Sequence, residues 1–336
     1  MMSDTTLKSS QFRKEREASW KELQDLVEKI EKKGVKSLDA DQLMRLPNLY
    51  RFTLSSLSVA RGVSLDRNLL EYLELLSTRA YFCIYGVHAS FGGTVLNFLF
   101  QEFPLAVWNA RWRILLTTII MLVGGVIAYY LTITNEEWYY TFVSDGMSSG
   151  RTPASATEDL RKGLYDGADM DVHELNVFAS YLFSHNSSVG ILSFALGFAL
   201  GVPSVLLIFY NGLTLGSFVA LYSGRGLGVD LAGWLSIHGT TELLAIILCG
   251  AGGLGLAKGI IMPGHKSRLA NLAYEGRQAA KIVIGAVLML LIAAILEGFG
   301  RQWITDTSTR FLIGGSMLTF WGLYFGYWGH RLWKRR

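Results

Sequence analysis

Apolar positions fall in helical stripes over the first quarter of the chain and in long uninterrupted runs after residue 113. From residue 11 to 33, Phe12, Trp20, Leu23, Leu26, Val27 and Ile30 share one face, Lys and Glu occupy the others, and Gly34 closes the segment. Asp39 or Asp41 then opens a short helix that stops near Pro47. Two further helices follow over 48–60 and 64–85, where Leu69, Leu70, Tyr72, Leu73, Leu75 and Leu76 supply a core. The pattern predicts a helical domain over residues 1–87, expected to be cytoplasmic and large enough to fold on a modest core.

Residues 88–110 are aromatic-rich but broken by Gly92-Gly93 and Pro104. They predict an amphipathic segment at the membrane surface, or a last helix packed on the soluble domain. The first span is expected over 114–133, with Arg111 and Arg113 inside and Glu136, Glu137 and the Trp138-Tyr139-Tyr140 belt outside. That makes 135–187 an acidic extracytoplasmic insertion. It carries a capping-box helix starting at Ser155 and Glu158, then a helix from Asp171 to Ser184. The uncharged run 188–222 is too long for one span, so Gly201 and Pro203 divide it into 187–202 and 203–223. Asn211-Gly212 is expected to distort or break the second of these. A span over 234–257, a basic loop with Lys258, Lys266, Arg268, Arg277 and Lys281, and a hairpin of 281–299 and 311–330 complete the chain. The fold expected is all-α, a polytopic membrane bundle over 111–336 with about six spans and both termini cytoplasmic.

Composition agrees with this pattern. Hydrophobic residues make up 51% and charged residues 17%, which a soluble chain of this length rarely shows. The net charge of +4 is small and unevenly divided: residues 1–110 carry 14 basic and 13 acidic side chains, 135–187 only 3 and 9. Such asymmetry speaks to topology, and no nucleic-acid partner is expected. Cys83 and Cys249, the two cysteines, fall on different sides of the pattern, so no disulfide joins them in this reading. Residues 1–30 lack an apolar h-region, so no cleavable signal peptide is expected.

The candidate chemistry lies in the most apolar stretch. His238 and Glu242 are four residues apart, one helical turn on one face, at a depth where ionisable groups face protein or water. With Asn186, Asn211, Gly212 and Thr241 they form an expected intramembrane polar cluster on helices adjacent in sequence. One reading is a proton or ion relay or a substrate-polarising site; the plainer one is an interhelical hydrogen-bond lock. A zinc protease would need a second histidine beside the pair. Asp169, Asp171, His173 and Glu174 offer ligands for a divalent cation, against the plainer reading of a solvated helix start. Gly197, Gly201 and Gly216 sit at helix-packing spacings, and Gly253 to Gly259 continues a span without a preceding strand. Glu297 either snorkels to the interface or pairs with Arg301. No P-loop, nucleophile elbow or peptidase motif occurs, so no catalytic residue and no cofactor are expected.

Several of these residues together resemble the stage II sporulation protein M family of multi-pass membrane proteins. The resemblance rests on Phe12, Trp20 and Leu23, on Leu49-Tyr50-Arg51, on Phe103-Pro104 before Arg111, on Asn186, on Asn211-Gly212 and on His238-Gly239 with Glu242. Ile237 stands where the family often has proline. The resemblance implies a protein of the bacterial cytoplasmic membrane. In spore formers, members are tied to septal peptidoglycan remodelling beside hydrolase partners, so by resemblance this chain is a scaffold or anchor for envelope proteins. The alternative is a transporter or channel with a pathway at Asn211, His238 and Glu242. An intramembrane enzyme ranks third, for want of a nucleophile beside a base. The glycine-rich faces suggest a homodimer in the bilayer.

Overall fold

The computed structural model describes residues 2–62, 67–85, 91–165 and 172–335, and every regular element among them is helical. The chain divides into two compact units, Met1–Thr94 and Val95–Arg336.

In the first unit, α1 (Met2–Lys33), α2 (Ala40–Gly62) and α3 (Arg67–Tyr85) bury Trp20, Leu23, Val27, Leu73, Leu76 and Ala80 almost completely. Gly34, at φ +79°, ends α1 in a conformation that favours glycine, its N–H donating to the Ile30 carbonyl. Pro47 does not end a helix, contrary to expectation. It lies inside α2, where the buried stripe of Leu46, Leu49, Tyr50, Thr53 and Leu57 runs through it. Burial of that stripe outweighs the one backbone bond the proline removes. Arg79 pairs with Glu31 at 2.6 Å across α1 and α3, and that guanidinium holds the Glu31 carboxyl below its usual range.

The second unit begins in α4 (Phe91–Asn97), continues through a π turn at Phe98–Glu102 into α5 (Phe103–Asn109), and then enters α6 (Arg111–Thr134). The segment expected at the membrane surface contributes to the bundle core. Phe103, Ala106 and Val107 are buried with Met289, Leu290 and Phe325. Beyond α6, the short α7 (Glu137–Phe142), α8 (Asp145–Ser148) and α9 (Thr157–Tyr165) pack Tyr139, Val143, Leu160 and Leu164 on Tyr222, Leu227, Leu231 and Trp234. Burial pushes the Tyr139 phenol above its ordinary range. The expected capping box is absent: Ser155 donates back to the Gly150 carbonyl, and Ala156 accepts the first bond of α9.

Next, α10 (Val172–Ala195) joins the expected outer helix and the start of the next apolar run into one helix. A 3-10 turn at Leu196–Phe198 and Gly201 at φ +80° reverse the chain, and Pro203 opens α11 (Val202–Gly224). That helix is unbroken at Asn211-Gly212, contrary to expectation: the Asn211 amide donates to the Leu207 carbonyl one turn back, and Gly212 packs closely on α6. Then come α12 (Gly228–Ile261) and α13 (Arg268–Ile295). A π turn at Leu296–Gly300 leads into α14 (Arg301–Trp303). Finally α15 (Thr307–Trp321) passes through a π turn at Gly322–Trp328 into α16 (Gly329–Lys334).

Among the described residues, four helices are long and apolar enough to cross a membrane: α6, α11, α12 and the continuous Arg268–Trp303 run. The polar run His185-Asn186-Ser187-Ser188 within α10 and the many Trp, Tyr and Gly residues from α15 onward keep those two less apolar than the four. Apolar on every face, α12 lies at the centre against α6, α10, α11, α13 and α15.

Lipid tails are as apolar as leucine, so burial of leucine does not by itself drive helices together in a bilayer; close backbone approach does. A Cβ on Gly212 would stand 2.1 Å from the Met121 carbonyl oxygen, and one on Gly216 would stand 2.0 Å from that of Gly125. The α6–α11 contact therefore depends on both glycines. A Cβ on Gly197 would likewise stand 2.2 Å from the Gly253 carbonyl oxygen. Gly216→Ala is expected to destabilise the purified protein by about 1–3 kcal/mol through overpacking. Gly315→Ala, with open space around it, is expected to be near neutral. Thermal unfolding in detergent compares the two, and equal melting temperatures would rule out this packing account.

Candidate functional site

His238 lies in the third turn of α12 and is 3% exposed; Glu242 follows one turn later. The matching wall comes from the far end of the α13 run, where the π turn at Leu296–Gly300 carries Glu297, 7% exposed. A π turn holds one residue more than an α turn and is frequent at functional sites. Here Gly298 lets α10 come close: a Cβ on it would stand 2.6 Å from that of Ala179. One ligand-capable atom each from His238, Glu242 and Glu297 lie within 4.8 Å of one another.

Arg301, one turn beyond Glu297, donates to its Oε1 at 3.1 Å. The guanidinium also lies 4.6 Å over the Trp234 ring and 5.2 Å over Phe178, in the geometry of a cation–π contact. Trp234 stands edge-on to His238 at 5.4 Å, so one aromatic ring touches both the cation and the imidazole. His238 Nε2 faces Glu297 Oε2 at 3.7 Å, beyond hydrogen-bond reach. Among the described residues His238 Nδ1, Thr240 Oγ1 and Glu242 Oε2 are buried without a hydrogen-bond partner.

The remaining expected members are distributed differently. Thr241 accepts from the Trp321 indole N–H at 2.9 Å, which ties α12 to α15. Asn211 bonds to its own helix and Gly212 packs on α6, so both belong to the α6–α11 contact. Asn186 is half-buried on α10, and no hydrogen bond among the described residues joins it to the cluster. His173 is exposed on α10, while Asp169 and Asp171 lie outside the described residues. The proximity of Glu297 and Arg301 to the His238–Glu242 pair is not readable from one chain. The available signal was a carboxylate and a guanidinium four apart at the end of an apolar run.

Two other polar centres brace α12. Toward its C-terminal end, buried Glu275 accepts from Arg113 at 2.9 Å and Lys258 at 2.8 Å, linking α6, α12 and α13. Asn271 donates to the Gly259 and Met262 carbonyls there and satisfies the helix end. Near the opposite end, Arg310 has no exposed surface; it donates to the carbonyls of Ile304 at 2.7 Å and Leu164 at 3.0 Å. Tyr165 donates to Asp230 at 2.6 Å beside it. A lateral groove of about 450 Å³ between α6, α11 and α12 is lined by Met121, Tyr129, Gly216 and Leu243 among others, and no cluster residue borders it.

Compared with known proteins, the family model described as Stage II sporulation protein M matches residues 116–300, which includes His238, Glu242 and Glu297. A second, described as Domain of unknown function (DUF8413), matches residues 10–86, the extent of the three-helix unit. Neither a curated protein nor a solved structure matches the chain.

Arg310→Lys is expected to lower stability by about 1.5–3 kcal/mol, since a single ammonium cannot reproduce the forked bonds to two carbonyls. Thermal unfolding of the detergent-purified variant reads this, and a melting temperature equal to the wild type would refute the role assigned to the fork.

Proposed function

The chain belongs to the stage II sporulation protein M family, and on that premise we propose that it is a non-enzymatic scaffold or anchor of the bacterial cytoplasmic membrane that organises envelope partners. The observation that carries this reading is the closure of α12. Thr241 accepts from Trp321 of α15 and His238 faces Glu297 of the α13 run, and no residue of the cluster lines the groove between α6, α11 and α12. A bundle built this way holds a fixed shape. The first unit supports recruitment: α3 carries exposed Leu75, Tyr81, Phe82 and Tyr85, an aromatic face suited to a protein partner.

The finer topology belongs to the same proposal. The second half of α10 and the α15–α16 run join the four long apolar helices as six spans, with both termini in the cytoplasm. The basic residues Lys266, Arg268, Arg331 and Lys334 then lie inside, and the acidic segment 135–187 outside. A homodimer in the plane of the membrane fits the lateral groove.

The alternative is a transporter or channel. It draws on the unpartnered His238 Nδ1 and Glu242 Oε2, since polar atoms of this kind border ion pathways. Against it, Asn211 bonds within its own helix, so the pathway expected to join the three residues lacks one of them.

Phe82→Asp with Tyr85→Asp is expected to reduce chemical cross-linking to envelope proteins several-fold at an unchanged level in the membrane. In proteoliposomes, wild type and Glu242→Gln are expected to show the same proton leak as empty vesicles. A pH-dependent flux that Glu242→Gln abolishes would favour the transporter. For topology, a cysteine at Glu158 is expected to react with an impermeant maleimide in intact cells, and one at His265 only after permeabilisation.

A further inference from the structure

We propose that His238, Glu242 and Glu297 form a binding site for a divalent first-row transition metal ion that fastens α12 to the π turn following α13.

The donor set is one imidazole nitrogen and two carboxylates, with one ligand atom of each within 4.8 Å of the others. Zinc holds such donors at about 2.0–2.2 Å, so tetrahedral ligands lie about 3.3–3.6 Å apart. His238 Nε2 and Glu297 Oε2, at 3.7 Å, are slightly wider than this and too far apart for a hydrogen bond. A cation between them would draw them together. A proton shared by the two carboxylates leaves the nearby imidazole without a role, whereas a metal ion uses all three groups.

Burial points the same way. His238 is 3% exposed and turns Nε2 toward Glu297, and buried Glu242 Oε2 has no hydrogen-bond partner among the described residues. Arg301 engages Glu297 through Oε1, which leaves Oε2 for the ion. It also orients the carboxylate, as hydrogen-bonded neighbours of ligating carboxylates do in known sites. Two ligands come from successive turns of one helix and the third from a π turn on another, so the ion spans two elements. Three protein ligands leave a coordination position for water. Mixed nitrogen and oxygen donors without thiolate suit zinc, manganese or iron, with soft-metal sites excluded.

Zinc is the probe. The full chain, purified in detergent, stripped with EDTA and dialysed against buffered zinc, is expected to retain about one ion, and zinc to raise its melting temperature. His238→Ala and Glu242→Gln are expected to weaken zinc binding by about tenfold or more and to abolish that rise. His173→Ala, at an exposed histidine outside the cluster, is expected to behave as the wild type. No retained zinc, wild-type zinc binding in both cluster variants, or an equal loss in His173→Ala would overturn the site. His238→Cys keeps a donor at that position and tests the site even where the alanine variant unfolds. Loaded with cobalt(II), it is expected to show a sulfur-to-cobalt charge-transfer band that the wild type lacks, and absence of the band from the folded variant overturns the proposal.

Discussion

An ionisable group carried into a dry interior has to meet a partner there, and the bundle is arranged around that constraint on α12. This helix is apolar on all sides, which suits it to the centre, yet it brings His238 and Glu242 with it. The neighbouring α13 run answers with Glu297 and Arg301 at one level, and α6 and α13 answer with Arg113 and Glu275 at another. Breaking a buried pair costs about 3–5 kcal/mol because the surviving charge is stranded. These two levels therefore fix the relative height of helices that apolar packing alone would leave free to slide.

Between those levels, contact is made by backbone. Gly212 and Gly216 against α6, and Gly197 against Gly253, bring chains together where any side chain would collide with a carbonyl. In lipid this replaces the hydrophobic drive available in water. The three-helix unit, by contrast, buries Trp20, Leu23 and Leu73 in the manner of a soluble core, with its ion pairs on the surface. The two units use different physics for stability, and the family and domain matches divide the chain along nearly the same line.

Much of the helical content was legible because periodicity and run length report it directly, as with the Trp20–Ile30 stripe and the Ile114–Ile133 run. Local breakers misled: Pro47 and Asn211-Gly212 read as interruptions, and tertiary packing carried both helices through. Ser155 satisfied the spelling of a capping box while bonding elsewhere. At the site, the His238–Glu242 spacing was visible because both lie on one helix. Glu297 entered only through the packing of a distant segment, which one chain's pattern does not encode. Asn211 shared the apolar neighbourhood without sharing the face.

The π turn at Leu296–Gly300 makes the length of the chain itself part of this arrangement. Each residue advances an α-helix by about 100°, and a π turn accommodates one more than the ladder requires. Loss of a single residue anywhere in 296–300 would return the segment to regular α geometry. The helix on either side would keep its phase, but Glu297, which the turn carries, would lose its station facing His238 and Arg301. The segment would tolerate a change of side chain far better than a change of count, so insertions and deletions are the mutations it is least able to absorb.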